Sequence, residues 1–243
     1  MRVGTNAIKR FSIDPAPSPF PSPTTWGSGL LSFNGAGGDQ GLGEGGVHIL
    51  HPLGFQGSVV FASAPSVQGG KLCLASGLLR ALTRLNPRWT GRDEDALTLC
   101  SSALGAPYLL VGEKQGPSLS FSHGKGRVWA AMSDKGSVGI DVVYPEEFAG
   151  VYPFYRAFSS EELDCADALC TNDRARGAAL MWAAKEASVK AARTGFNLFD
   201  PLEVRVGTPF VQEHGILFDV LADRPVSTWV TTEDRGWLAV ALA

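Results

Sequence analysis

The stretch that most constrains this fold is residues 174–195, RARGAALMWAAKEASVKAARTG. It is rich in alanine, contains no proline, follows the N-cap candidates Thr171, Asn172 and Asp173, and closes on Gly195. These features predict a helix of about 20 residues. Within it, Trp182, Lys185, Glu186 and Lys190 fall at roughly 0°, 300°, 40° and 80° around the axis, an arc of about 140°. Two ammonium groups, a carboxylate and an indole thus share one face of a helix otherwise built from small residues. Two readings fit that face. Glu186 and Lys190 can form an ordinary (i, i+4) pair on a solvated surface, worth a few tenths of a kcal/mol. Alternatively, the face can hold a phosphate group with a divalent metal, Glu186 serving as a hard oxygen ligand and the lysines as phosphate donors. The choice turns on whether the chain supplies a second carboxylate and further phosphate donors.

With 243 residues, 44% of them hydrophobic and 19% charged, the chain is long enough for one large domain or two small ones with real cores. No apolar run approaches the length of a transmembrane helix, so no membrane span is expected. The net charge of −3 argues against non-specific nucleic-acid binding. Cys73, Cys100, Cys165 and Cys170 form no C-x-x-C pair, and such thiols fit a reducing cytoplasm. The four histidines are too scattered for a zinc motif.

Residues 1–46 are rich in Pro, Ser and Gly and read as a flexible extension. Gly41, Gly43 and Gly46 match G-x-G-x-x-G, but with no strand before them and no helix after, the match lacks the context it requires. From Val47 the pattern changes. Residues 47–50 and 58–64 read as strands, 71–85 and 93–104 as helices, 105–108 as a turn, and 118–123, 126–133 and 137–143 as strands. Residues 159–169 read as a helix opened by the capping-box sequence Ser159-Ser160-Glu161-Glu162. The long helix follows, and strands at 202–206, 215–221, 226–232 and 237–242 close the chain. Strand, helices and strands, in an order that loosely repeats, predict an α+β fold of two similar halves, residues 47–135 and 136–243.

The second carboxylate is Asp141, in Gly139-Ile140-Asp141. Val138, Ile140 and Val142 alternate on a strand, which points Asp141 to the opposite face. Taken alone it reads equally as a strand-end Asp capping a turn. The third piece is Ser120-Phe121-Ser122-His123-Gly124-Lys125-Gly126, read as a short strand running into a polar loop. Its glycines let backbone N–H groups, His123 and Lys125 approach an anion. A plain hairpin loop fits it equally well.

Taken in order, F-S-H-G (residues 121–124), G-I-D (139–141) and W-x-x-K-E-x-x-x-K (182–190) resemble the 4′-phosphopantetheinyl transferases, and Phe158-Ser159-Ser160-Glu161-Glu162 resembles that family's F-S-x-x-E segment. Length and the two-half plan are similar to the larger, surfactin-synthetase-activating type. The resemblance runs from about Lys71 to the C-terminus and implies a pseudo-twofold pair of α+β subdomains. It implies Mg²⁺-dependent transfer of phosphopantetheine from coenzyme A to a serine of an apo acyl or peptidyl carrier protein, releasing adenosine 3′,5′-bisphosphate. It places Asp141 and Glu186 on Mg²⁺, and Lys185 and Lys190 on the phosphates. Glu186 or Lys185 would assist deprotonation of the incoming serine, while Ser122, His123 and Lys71 would sit at the nucleotide end. Two positions depart from the family pattern: Val143 stands where many relatives carry a third carboxylate, and Ala106 where a lysine is common. Lys114 or Lys125 would have to compensate for the latter. The departures leave open a non-catalytic homologue that binds coenzyme A or a carrier protein without transfer. Two halves in one chain imply a monomer, and the cysteine usage a cytoplasmic one.

Overall fold

Alternating apolar residues decide where the strands fall, and the computed structural model describes them through residues 31–33, 46–51, 57–89, 96–194, 196 and 199–243. The first sheet has the order β1 (Leu31–Phe33), β2 (Val47–Leu50), β3 (Val59–Pro65), β8 (Arg127–Ser133), β7 (Ser118–Gly124), antiparallel throughout. Helix α1 (Gly70–Leu85) lies on its outer face, burying Leu74, Leu78, Leu79 and Leu82 against Val60, Ala62, Ala130 and Met132. A small sheet of β4 (Leu97–Ser101), β5 (Pro107–Val111) and β6 (Lys114–Gln115) adds Leu109 and Val111 to the same core.

The second sheet runs β10 (Arg205–Val206), β12 (Gly215–Leu221), β13 (Pro225–Glu233), β14 (Gly236–Leu242), β9 (Val138–Val143), with β11 (Phe210–Gln212) also pairing with β12. Helices α2 (Ser160–Leu169) and α3 (Arg174–Ala192) belong to the core on its outer face. The inner faces of the two sheets meet in a third core, where Phe61, Trp129 and Ala131 lie against Ile140, Trp229 and Val240. The molecule is therefore an α+β protein layered helix, sheet, sheet, helix, each sheet turning one face to its helix and one to the other sheet. Among the described residues no helix is long and apolar enough to cross a membrane.

Among the described residues, β9 is an edge strand, hydrogen-bonded by its backbone to β14 alone. Its other edge is satisfied by side chains. The amides of Val138, Ile140 and Val142 donate to the hydroxyls of Ser118, Ser120 and Ser122 on β7, at 3.0, 3.1 and 3.2 Å. Serines at alternate positions of S-L-S-F-S-H thus replace a backbone ladder and join the two sheets at this seam. Buried N–H groups need partners, and a short hydroxyl supplies one where a large side chain would hold the strands apart. The strand expected at residues 118–123 forms and runs one residue further, through Gly124.

Helix α3 begins as expected, Asp173 accepting from the Arg176 amide at 3.0 Å. It ends at Ala192 rather than running to Gly195, which lies outside the described residues. Arg193 takes the left-handed C-cap conformation (φ 62°), and its guanidinium donates to Ser137 and Ser118 at 2.9 and 3.0 Å. The capping box of α2 forms with Ser159 and Glu162.

Three other expectations change. Residues 93–104 were expected to be helical, but Leu97–Ser101 is a strand; residues 90–95 lie outside the described residues. In L-T-L, Leu97 and Leu99 pack toward the first core while Thr98 faces solvent, a period-2 pattern that pairing with β5 reinforces. The expected strand at 202–206 shortens to Arg205–Val206, because Asp200 turns the chain, its carboxylate accepting from the Leu202 amide and its carbonyl from the Glu203 amide. Within the Pro/Ser/Gly-rich extension, Leu31–Phe33 pairs with β2.

Candidate functional site

The site forms where β9, α3 and β7 meet, and close packing places it. A Cβ on Gly139 would lie 1.9 Å from the carbonyl oxygen of Ala187 and 2.6 Å from the nitrogen of Ala191. Only glycine lets the backbone of α3 rest on β9 at this point. Two residues along, Asp141 points from the same face toward the neighbouring positions on the same turns of the helix, Glu186 and Lys190. The glycine of G-I-D is a packing residue that sets the carboxylate against the helix.

Asp141 is buried, with 3% of its surface exposed. Its Oδ1 accepts from the Ser122 hydroxyl at 2.8 Å and from the Lys190 ammonium at 2.6 Å. The same ammonium reaches the Ile140 carbonyl at 3.2 Å and lies 3.8 Å from Glu186 Oε2. One cation thus sits between two carboxylates that the chain brings together from residues 45 apart in sequence. Burial and the adjacent Asp141 carboxylate push Glu186 up to about 7, against the opposing pull of Lys190. A carboxyl held near neutrality can give up or take a proton at physiological pH.

The basic end lies alongside. His123, on the opposite face of β7 from Ser122, feels both Lys71 and Lys190. Burial first, then those two charges, hold its imidazole below the ordinary value. Lys71, at the start of α1, reaches over the Phe121 ring at 5.5 Å. Lys71 and Lys190 therefore both bring positive charge to the surroundings of His123, beside the carboxylate pair, where it suits a phosphorylated ligand.

One expected site residue is placed differently. Lys185 is fully buried and lies outside the Asp141 cluster: its ammonium pairs with Glu162 at 2.8 Å and donates to the carbonyls of Ala157 and Pro201 at 2.8 and 2.9 Å. Three acceptors saturate its three N–H donors, so it has none left for a phosphate or a substrate serine. Burial pulls its ammonium below the ordinary value, and Glu162 opposes that shift. Ser122 is buried too; its hydroxyl proton goes to Asp141 and its oxygen takes the Val142 amide, so the hydroxyl orients Asp141.

The departures from the family pattern also have places. Val143 is buried among the apolar residues under α3. Lys125 lies over the Tyr144 ring at 4.1 Å, with Glu146 at 3.6 Å and Asp234 at 3.9 Å, so it fastens the β7–β8 hairpin to the segments next to the second sheet. Lys114 is exposed on β6. Trp182 is packing: it stacks on Phe196 at 4.9 Å and meets Phe158 and Phe148 edge-on. The sequence reading missed Ser118 and Ser120, for which the S-x-S-x-S alternation was the available signal, and the pairing of Glu162 with Lys185, for which the capping box and the F-S-x-x-E segment marked Glu162 but not its partner.

Among the described residues no group of three or more His, Cys, Asp or Glu side chains forms a metal cluster. The two carboxylates nonetheless fit a hard divalent cation. They are oxygen donors, they converge on a position a cation already occupies, and Mg²⁺ takes one or two protein carboxylates and completes its shell with water and phosphate.

Fold and site define an α+β protein with a paired-carboxylate, lysine-bearing centre at the seam of two sheets. Residues 137–241, the stretch from β9 to β14 that carries Asp141, Glu186 and Lys190, match the family model of the 4′-phosphopantetheinyl transferase superfamily. No curated protein matches the chain significantly.

Proposed function

We propose that this chain is a Mg²⁺-dependent 4′-phosphopantetheinyl transferase of the larger, surfactin-synthetase-activating type. It would transfer phosphopantetheine from coenzyme A to a serine of an apo acyl or peptidyl carrier protein and release adenosine 3′,5′-bisphosphate. The observation that carries the reading is the convergence of Asp141 and Glu186 around Lys190, inside the stretch that matches the superfamily.

In the transfer, the serine oxygen forms a bond to the phosphorus that bears pantetheine, the bridging P–O bond of the diphosphate breaks, and the nucleotide bisphosphate leaves. Asp141 and Glu186 would hold the metal, which when bound neutralises charge on the diphosphate and its leaving oxygen. Ser122 keeps Asp141 oriented through its hydroxyl. Lys190 supplies positive charge to the phosphates, and Lys71 and a neutral His123 take the 3′-phosphate end. Glu186, or a water beside it, would accept the serine proton. Lys185 has no part in this account. Both halves contribute to the site, β7 from the first and β9 with α3 from the second, which fits a division of the chain at about residue 135 and a monomer, and the free thiols of Cys73, Cys100, Cys165 and Cys170 fit a cytoplasmic enzyme.

The test is intact-mass spectrometry of apo carrier proteins incubated with this protein, coenzyme A and Mg²⁺, with a chelator control. The expected result is a mass gain of one phosphopantetheine that chelator abolishes and that Asp141→Ala and Glu186→Ala lack. No gain on fatty-acid, polyketide or peptide carriers would refute transfer. The buried Val143 favours a second reading, a homologue that binds coenzyme A or a carrier protein without transfer. Calorimetric binding of coenzyme A that ignores chelator, with no mass gain, would establish it.

A further inference from the structure

The metal-binding pair already carries a cation of its own. Lys190 Nζ lies 2.6 Å from Asp141 Oδ1, 3.8 Å from Glu186 Oε2 and 3.2 Å from the Ile140 carbonyl oxygen. A magnesium ion on these carboxylates would lie about 2.0–2.1 Å from its ligand oxygens, within the space the ammonium fills. Both are positive, and both need the same lone pairs of a buried carboxylate. Lys190 can move: a third of its side chain is exposed, 33%, on a four-carbon stem with rotatable donors. Lys185, five residues earlier and fully buried among three acceptors, cannot.

We infer that Lys190 is the resident counter-cation of the Asp141–Glu186 pair and that a divalent cation entering the site displaces it, turning its ammonium out toward the region shared with His123 and Lys71. The inference rests on the metal reading above and adds an order to it. Without metal, Lys190 neutralises Asp141 and is withheld from the diphosphate. With metal, two charges on the ion replace one on the lysine, the pair is neutralised, and repulsion between like charges directs the ammonium outward. Metal binding therefore comes before full engagement of the diphosphate, and one residue serves as placeholder in the first state and phosphate donor in the second.

Two measurements on the full chain test this without reading activity. The first is calorimetric titration with Mg²⁺, and in parallel Mn²⁺, of the wild type, Lys190→Met and Lys190→Arg, at pH 8.5 so that Glu186 is ionised. Removing the competing charge should tighten metal binding about tenfold in Lys190→Met, while Lys190→Arg, which keeps the charge, stays close to wild type. The second needs no variant: brief amine acylation followed by peptide mass spectrometry should show Lys190 labelling rising severalfold on metal addition, with Lys185 unlabelled in both states. Equal or weaker metal binding by Lys190→Met, or Lys190 labelling that metal leaves unchanged, overturns the inference while the metal assignment stands. Failure of all three proteins to bind either ion overturns both.

Discussion

Replacing Lys185 by methionine separates a structural lysine from a catalytic one. In the folded protein its ammonium makes three contacts at 2.8–2.9 Å, to Glu162 and to two backbone carbonyls, with none of the residue exposed. Glu162 has further duties, its Oε2 taking the Ser159 amide at 3.0 Å and its Oε1 the Val206 amide at 2.9 Å. The pair thus ties together the start of α2, the middle of α3 and the segment leading into β10. Methionine fills much of the volume but leaves a buried carboxylate without its counter-charge and two carbonyls without a donor. Breaking a buried pair from one side costs about 3–5 kcal/mol. For a chain of this size that is a fall in Tm on the order of 10 °C, at about 2–4 °C per kcal/mol. Urea unfolding of the wild type, Lys185→Met, Glu162→Gln and the double variant measures it. The double variant should recover at least about 1 kcal/mol relative to the sum of the singles, because the uncompensated charge is gone. Mg²⁺ affinity of the folded Lys185→Met protein should match the wild type. A stability loss under about 1 kcal/mol together with loss of transfer or metal binding would refute the reasoning and return Lys185 to the site.

Gly139→Ala should destabilise the protein by about 3 kcal/mol or more, since its methyl meets two backbone atoms of α3 that cannot rotate away. Urea unfolding measures that, and near-wild-type stability would mean α3 does not rest on β9 as described. The pH dependence of the carboxylate pair has two opposite signs. With the carboxyl of Glu186 raised to about 7, its contribution to the metal-free fold is fully present below the ordinary glutamate range and is lost as pH rises through about 7. Mg²⁺ binding runs the other way, because the ligand must lose its proton, and its affinity should fall about tenfold per pH unit below 7. Unfolding and calorimetry between pH 5 and 8 check both trends, and Glu186→Gln should lose the stability trend; a variant that keeps it would assign that dependence to another group.

Much of this protein is legible one residue at a time. Ala-rich composition and Asp173 specify where α3 begins, Ser159 and Glu162 specify the start of α2, and the alternation of Val138, Ile140 and Val142 puts Asp141 on the opposite face of β9. These are local effects of propensity, capping and periodicity, which act within a few residues. Motif order likewise singles out Asp141, Glu186 and Lys190 as a group. What sequence alone left undecided depended on partners distant in the chain. Leu97–Ser101 became a strand because β5 pairs with it and the first core takes its leucines. Lys185 and Lys190 lie at the two ends of one charged arc of about 140°, yet one is buried and the other stays at the site, because α2 and the 200–206 segment cover only one side of α3. Ser122 reads as a polar residue at the end of a strand until β9 is brought beside it, when its hydroxyl proves committed to Asp141. The sequence by itself determined which residue types carry charge on α3 and β9. Tertiary packing, through a glycine with no Cβ and a seam of three serine hydroxyls, decided which of those charges meet.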